Sequence, residues 1–357
     1  MAKKWRREYD PFTNLFYQHN MHTGADRVYT HNCKFLHDTG DPSSPVIRID
    51  ARVPSISDMF GVNETLRPLE HFKRILRDTL IDMRFDPGQI DEVLTARHVS
   101  FFEPLYAKWN ETRDANWLYS MPEYVFETIH CLLHHTAKLG NARNGTPDQF
   151  SEAHNMIAAL ELLYSEYDRF SVLELGPGIG YLSLLVAHRF PNASVYVEEL
   201  NPQSLQLLTT LRDLSDAGNL YVNCPFPTSF DVLMAFEVLE HIPSLHYSSV
   251  GEPMPWLDPY LCLLKHNAYF LYDSMWGAEW QLNHRVMGHF LRYKFDDFIY
   301  EKDPFSARTP FYKACEEALL LRGMHRVRSF DVQPCDVTGV TNITPTLRGG
   351  VKVYVKK

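Results

Sequence analysis

In the stretch Ser171-Val172-Leu173-Glu174-Leu175-Gly176-Pro177-Gly178-Ile179-Gly180, an apolar strand runs straight into three glycines at alternate positions. The amphipathic segment Tyr181 to Arg189 follows at once. A strand, a tight glycine turn and a helix N-terminus in succession form a cradle for a small ligand with a nucleotide-like part. Glycine belongs where a side chain would block approach of the backbone to a ligand or forbid positive φ. The spacing is Gly-x-Gly-x-Gly, with Glu174 two residues before the first glycine. In the dinucleotide fingerprint the third glycine falls one residue later, so this turn is of another kind.

The residues around the turn predict the sheet it serves. Val172 to Leu175 reads as a first strand and Tyr181 to Phe190 as its helix. Ser194 to Glu198 is a second strand, Pro202 to Leu214 the next helix, and Leu220 to Asn223 a third strand. Phe230 to Phe236 is a nearly continuous apolar run, as a central parallel strand requires. Helical segments are expected to about Lys265, then a fifth strand over Ala268 to Tyr272. Residues 275–310 read as an insertion rich in aromatic, histidine and basic residues. A helix over Phe311 to Leu321 and strands over Arg326 to Val332 and Val351 to Lys357 complete the pattern. Such alternation implies an open α/β sheet, with one antiparallel strand near an edge where two late strands lack a helix between them.

Before the turn the pattern differs. Residues 1 to about 60 show little periodicity and are broken by Pro11, Gly24, Gly40, Pro42, Pro45 and Pro54, although Val46 to Val53 alternates as a short strand would. Leu69, Phe72, Ile75, Leu76 and Leu80 recur at helical spacing. Gln89 to His98, Glu103 to Trp109 and Pro122 to Leu139 are further helical candidates. His130 and His134 share one helix face, but the carboxylate of a His-Glu-x-x-His site is absent, so core packing is the simpler reading. Thr146-Pro147-Asp148-Gln149 reads as a helix start. The expected division is a mainly helical domain over 1–145, serving substrate closure or homo-oligomerisation, and an α/β domain over 146–357 with the insertion at 275–310.

The 357 residues are ample for two such domains. A net charge of −9 argues against a broad nucleic-acid binder, which needs a basic face. No apolar run approaches the roughly 18 residues of a membrane span. Cys33, Cys131, Cys224, Cys262, Cys315 and Cys335 form no Cys-x-x-Cys pair. A reducing cytoplasm is therefore the expected home, and acidic residues follow the basic start where a signal peptide would need an apolar stretch.

Four features stand in the order found in one family. They are Glu174 to Gly180, Val195 to Pro202, Phe230 to Ile242, and Tyr269 to Asp273. Together they resemble the class I S-adenosylmethionine-dependent methyltransferases, well over residues 150–273 and weakly over 311–357. The resemblance implies a seven-stranded Rossmann-like sheet, S-adenosyl-L-methionine as cofactor and S-adenosyl-L-homocysteine as product. It implies cofactor contacts from Glu174, Gly176, Pro177, Gly178 and Gly180, and a ribose-binding acid about 20 residues beyond the glycines. The sequence acid, apolar, polar, proline favours Glu199 over Glu198 for that acid. Phe236 and Glu237 are implied at the end of the fourth strand. After the third strand, where the family usually carries an acid near the adenine, this chain has Asn223.

The methyl acceptor is less constrained. A sulfonium methyl is already electrophilic, so an acceptor must be held in line with it, with a base where its hydroxyl is poorly acidic. His241 and His284 are the candidate catalytic residues, with His289 a further histidine in the insertion. The plan resembles small-molecule and sugar O-methyltransferases, which implies a small-molecule or glycan-like acceptor. Glu237, Glu240, His241 and His284 also resemble the metal set of small-RNA 2′-O-methyltransferases, which would hold a divalent ion to acidify a ribose hydroxyl. That set is the alternative reading, and no metal is expected on the main one. A second alternative is a cofactor-binding module without turnover.

Overall fold

The computed structural model describes residues 5–10, 15–20, 26–30, 56–61, 68–96, 115–134, 163–236, 257–273, 319–327 and 351–357, with single positions at 99, 102, 104, 105, 107, 153, 156, 157, 159–161 and 238. Its centre is a seven-stranded sheet. The strands, in chain order, are β4 (Ser171–Leu175), β5 (Ser194–Glu198), β6 (Leu220–Tyr221), β7 (Phe230–Ala235), β8 (Leu264–Asp273), β9 (Met324–Arg326) and β10 (Val351–Lys356). Their spatial order is β6-β5-β4-β7-β8-β10-β9. β4 pairs in parallel with β5 and β7, β5 with β6, and β7 with β8. β10 runs antiparallel to both β8 and β9, the late antiparallel strand that the pattern predicts.

The chain order reverses at β4, whose neighbours are β5 on one side and β7 on the other. In open α/β sheets, ligands bind outside the carboxyl ends of the strands at this point of reversal. β4 and β7 are paired on both edges and almost wholly buried, which explains why each reads as an unbroken apolar run.

Helix α6 (Tyr181–Arg189) follows β4, and Gly180 occupies its N-cap position with a left-handed φ of 80°. Helix α7 (Pro202–Leu214) follows β5; Asn201 caps it and Pro202 fills its first position. The short helix α8 (Asp258–Cys262) leads into β8. β8 begins at Leu264, inside the stretch expected to remain helical. A register shift in the β7–β8 pairing and a positive φ at Asn267 accommodate that early start, which polar Lys265, His266 and Asn267 conceal from an apolar-run reading.

Ahead of the sheet, the described residues from 56 to 134 are helical in α1 (Ile56–Phe60), α2 (Pro68–Asp82), α3 (Pro87–Thr95), α4 (Ala115–Ser120) and α5 (Tyr124–His134). Asp86 caps α3 by accepting the Gln89 N–H at 2.9 Å. His130 is buried on α5 with its ring 5.8 Å from that of Phe102, the core placement its face suggests. Residues 5–30, where no regular element is expected, carry a three-stranded antiparallel meander of β1 (Trp5–Asp10), β2 (Leu15–Asn20) and β3 (Asp26–Thr30). β1 sets Trp5 and Tyr9 against Arg6, Glu8 and Asp10, but Arg7 interrupts the aromatic class and the run is only six residues long, so a period of two gives a weak signal there. The strand expected at Val46 to Val53, the capping box at Thr146 to Gln149 and the insertion at 275–310 lie outside the described residues.

The N-terminal helices are built onto the sheet. Phe72, Leu76 and Leu80 of α2, Ile90 and Val93 of α3, and Val125, Phe126 and Ile129 of α5 share one buried cluster with Val172, Leu185, Leu207 and Leu211. The opposite sheet face buries Leu173, Leu233, Phe270 and Tyr272 with Leu257 and Leu261. Among the described residues no helix is long and apolar enough to cross a membrane.

Candidate functional site

The carboxyl ends of β4 and β5 meet the residues after β7. The Gly176 N–H donates to the Glu198 carbonyl at 2.8 Å, so the chain leaving β4 stays joined to the last residue of β5. The turn then tightens as the Gly180 N–H donates to the Pro177 carbonyl at 2.8 Å. Gly178 has φ +59°, and a Cβ there would lie 2.5 Å from Cγ2 of Thr128 on α5. A Cβ on Gly176 would lie 2.1 Å from Cγ2 of Val238, just beyond β7. Bare backbone is thus enforced on two sides, once by α5 and once by the end of β7.

Glu199 follows β5 directly and faces this turn. Its Oε2 accepts the Gly178 N–H at 2.8 Å, and its Oε1 accepts the Asn201 N–H at 2.8 Å. Burial pushes the carboxyl upward from its ordinary range; the N–H groups of Asn201, Gly178 and Leu200 pull it back, and neighbouring Glu198 adds to the rise. A carboxylate offers about four lone-pair positions, so these bonds leave it able to accept from a ligand hydroxyl. Leu200, next to it, is an apolar side chain 63% exposed.

Glu174 sits differently. It is 1% exposed and accepts a hydrogen bond from the Ser183 hydroxyl on α6. Burial raises its pKa to about 8, against the pull of Ser183 and with a further push from Glu199. At neutral pH it therefore holds its proton and fastens α6 to β4 from behind the turn. Among the other expected site residues, Pro177 lies in the turn and Phe236 is half-buried at the end of β7. Asn223 is exposed just past β6 with φ +55°. Glu237, Glu240, His241 and His284 lie outside the described residues. Among the described residues no three His, Cys, Asp or Glu side chains are grouped to hold a metal ion.

Three residues at the site escape the motif reading: Thr128, Ser183 and Asn201. Asn201 had a usable signal, since asparagine before a proline at the first helical position marks an N-cap. Thr128 had none, because only the tertiary fold brings α5 to the glycine turn.

No protein-family model matches this chain, and no curated protein matches its sequence. Solved structures are similar to it. The plantazolicin methyltransferase BpumL, solved in complex with S-adenosylhomocysteine, aligns with 72% of this chain and 100% of its own at 11% identity, with a TM-score of 0.40. A SAM-dependent methyltransferase from Aquifex aeolicus aligns with 58% of this chain and 92% of its own at 13% identity and a TM-score of 0.35. The Methanococcus jannaschii fibrillarin pre-rRNA processing protein aligns with 56% and 74% at 14% identity and a TM-score of 0.34.

Proposed function

We propose that this chain is an S-adenosylmethionine-dependent methyltransferase acting on a hydroxyl of a small-molecule or sugar-like acceptor. The observation that carries the reading is the pairing of a bare-backbone turn at Gly178 with the Glu199 carboxylate, where the strand order reverses. A nucleoside with a charged tail fits such a place: a ribose hydroxyl would donate to the lone pair that Glu199 keeps free, beside the glycine turn at the carboxyl ends of the strands.

S-adenosylmethionine, when bound, supplies a methyl group on a sulfonium that needs no further activation. Glu199 orients the ribose end, and the enclosed Leu173 to Leu175 strand keeps the turn from shifting. Val238 brings the residues just past β7 against the same turn, so an acceptor bound there would lie near the cofactor. We assign the general base to His241, six residues beyond the end of β7, with His284 the second candidate. The net charge of −9 favours a small acceptor over a polynucleotide.

Calorimetry with S-adenosylmethionine and S-adenosylhomocysteine tests the cofactor site. Binding by the wild type and its loss in a Gly178→Asp variant that stays folded by circular dichroism is the expected result; equal binding by both overturns the assignment. A panel of hydroxylated acceptors, run with and without chelator, separates this reading from metal-assisted RNA methylation through Glu237, Glu240, His241 and His284. It also separates it from cofactor binding without turnover.

A further inference from the structure

Asn201 makes more hydrogen bonds than a helix cap needs. Its side chain is fully buried. Oδ1 accepts the Ser204 N–H at 2.8 Å, which is all that capping α7 requires. Nδ2 donates twice more, to the carbonyl oxygens of Tyr119 at 2.8 Å and Met121 at 2.9 Å, 82 and 80 residues earlier. Those carbonyls lie where α4 gives way to α5, and the Met121 carbonyl also accepts the Tyr124 N–H at 3.0 Å at the start of α5.

The same segment reaches the other turn as well. α5 begins three residues after Met121 and lays the Thr128 methyl against Gly178. The Asn201 backbone N–H donates to Glu199, whose second oxygen holds the Gly178 N–H. A closed circuit results: Gly178 to Glu199, Glu199 to Asn201, Asn201 to the 119–121 carbonyls, and α5 back to Gly178.

We infer that residues 115–134 form a wall of the cofactor site whose docking is coupled to cofactor occupancy, with Asn201 as the positioning residue that couples them. The choice of S-adenosylhomocysteine as probe rests on the methyltransferase reading. A ligand held by Glu199 and the Gly178 backbone stabilises the groups that the segment docks on. By linkage, the docked segment strengthens ligand binding by the same factor. Loosening the strap lowers apparent affinity in proportion to the fraction of molecules left docked.

The test uses the full chain and two cap-preserving variants. Asn201→Ser keeps an acceptor for the Ser204 N–H but is too short to reach both carbonyls. Asn201→Asp also keeps the cap and sets a carboxylate against those carbonyls. In hydrogen exchange, S-adenosylhomocysteine is expected to protect both the glycine turn and residues 115–134 of the wild type. In Asn201→Ser, protection remains at the turn, disappears from 115–134, and Kd rises about tenfold. Asn201→Asp is expected to show the larger effect. In turnover assays the KM for S-adenosylmethionine rises while kcat is kept, whereas a folding defect would lower the active fraction instead. The inference is overturned if Asn201→Ser binds like the wild type with 115–134 still protected, or if wild-type protection stops at the turn. If the wild type binds no S-adenosylhomocysteine, the methyltransferase reading fails on its own. The strap is then read in ligand-free protein: faster protease cutting within 115–121 in Asn201→Ser supports it, and equal cutting overturns it.

Discussion

The Glu199 carboxylate accepts the Gly178 N–H at 2.8 Å, joining two turns that are 21 residues apart in the chain. One oxygen faces the glycine turn while the other is held by Asn201, so the orientation of the carboxylate is fixed before a ligand arrives. Preorganisation of this kind lowers the ordering cost of binding. Glu199→Gln removes the charge and turns an amide donor toward one of these N–H groups. Hydrogen bonds to charged groups contribute about 1.5–3 kcal/mol, so S-adenosylhomocysteine affinity is expected to fall about tenfold to a hundredfold. Calorimetry on the folded variant measures it, and unchanged affinity would remove Glu199 from the site.

Glu174 predicts a pH dependence of stability. Its ordinary pKa is 4.5, and burial raises it to about 8 in the folded chain. Between these values the folded chain holds a proton that the unfolded chain releases. The stabilising contribution is therefore complete below pH 4.5 and is lost as pH rises through about 8. Glu174→Gln stays neutral throughout and can still accept from Ser183. Its Tm relative to wild type is expected to climb from about pH 5 to about pH 8. A constant difference across that range would contradict the buried, protonated carboxyl.

Much of this was legible because one-dimensional signals carried it. The apolar runs at Val172 to Leu175 and Phe230 to Ala235 mark strands buried on both faces, and the glycines mark a turn that excludes side chains. The acid at Glu199 stood in register with them. The meander at 5–30 was hidden because its strands are only five or six residues long and polar residues interrupt their aromatic positions, as Arg7 does between Trp5 and Tyr9. The early start of β8 was hidden by Lys265 to Asn267. Within the site, Glu174 looks from the sequence like a ligand-facing acid, yet its strand turns it toward Ser183. The contact of Thr128 with Gly178 spans 50 residues and exists only once α5 packs against the sheet's helices.

Gly180→Ala is expected to destabilise the fold as well as the turn. Gly180 has φ +80°, and a Cβ there would lie 2.0 Å from Cδ1 of Leu208 on α7. The left-handed conformation costs about 1–2 kcal/mol for a residue with a side chain, and overpacking adds about 1–3 kcal/mol. A loss of about 2–5 kcal/mol follows from the two together. Urea unfolding reads this directly; a loss below about 1 kcal/mol would mean that the Leu208 side chain swings aside and the turn relaxes.

At the opposite end of the strands, Asp231 offers a control that separates stability from binding. Its Oδ2 accepts the Ser171 N–H at 2.8 Å and the Ser171 hydroxyl at 2.9 Å, while Oδ1 accepts from Lys265 at 2.7 Å. The Asp231 N–H returns a bond to the Ser171 hydroxyl at 3.1 Å, so the first residue of β4 and the second of β7 are clamped reciprocally. Burial pushes this carboxyl upward, but the bonds from Lys265 and Ser171 outweigh it and hold it below its ordinary range. The stabilisation is therefore present at neutral pH and is lost only as the solution is acidified through that lowered value. Asp231→Asn keeps an acceptor for Ser171 but loses the ion pair. It is expected to be less stable than wild type at neutral pH, with the two converging in acid. Because the clamp lies at the amino ends of β4 and β7, away from Gly178 and Glu199, the folded variant is expected to bind S-adenosylhomocysteine like the wild type. Urea unfolding across the acid range and calorimetry at neutral pH check the two halves, and a large loss of affinity in the folded variant would show that the two ends of the strands are coupled.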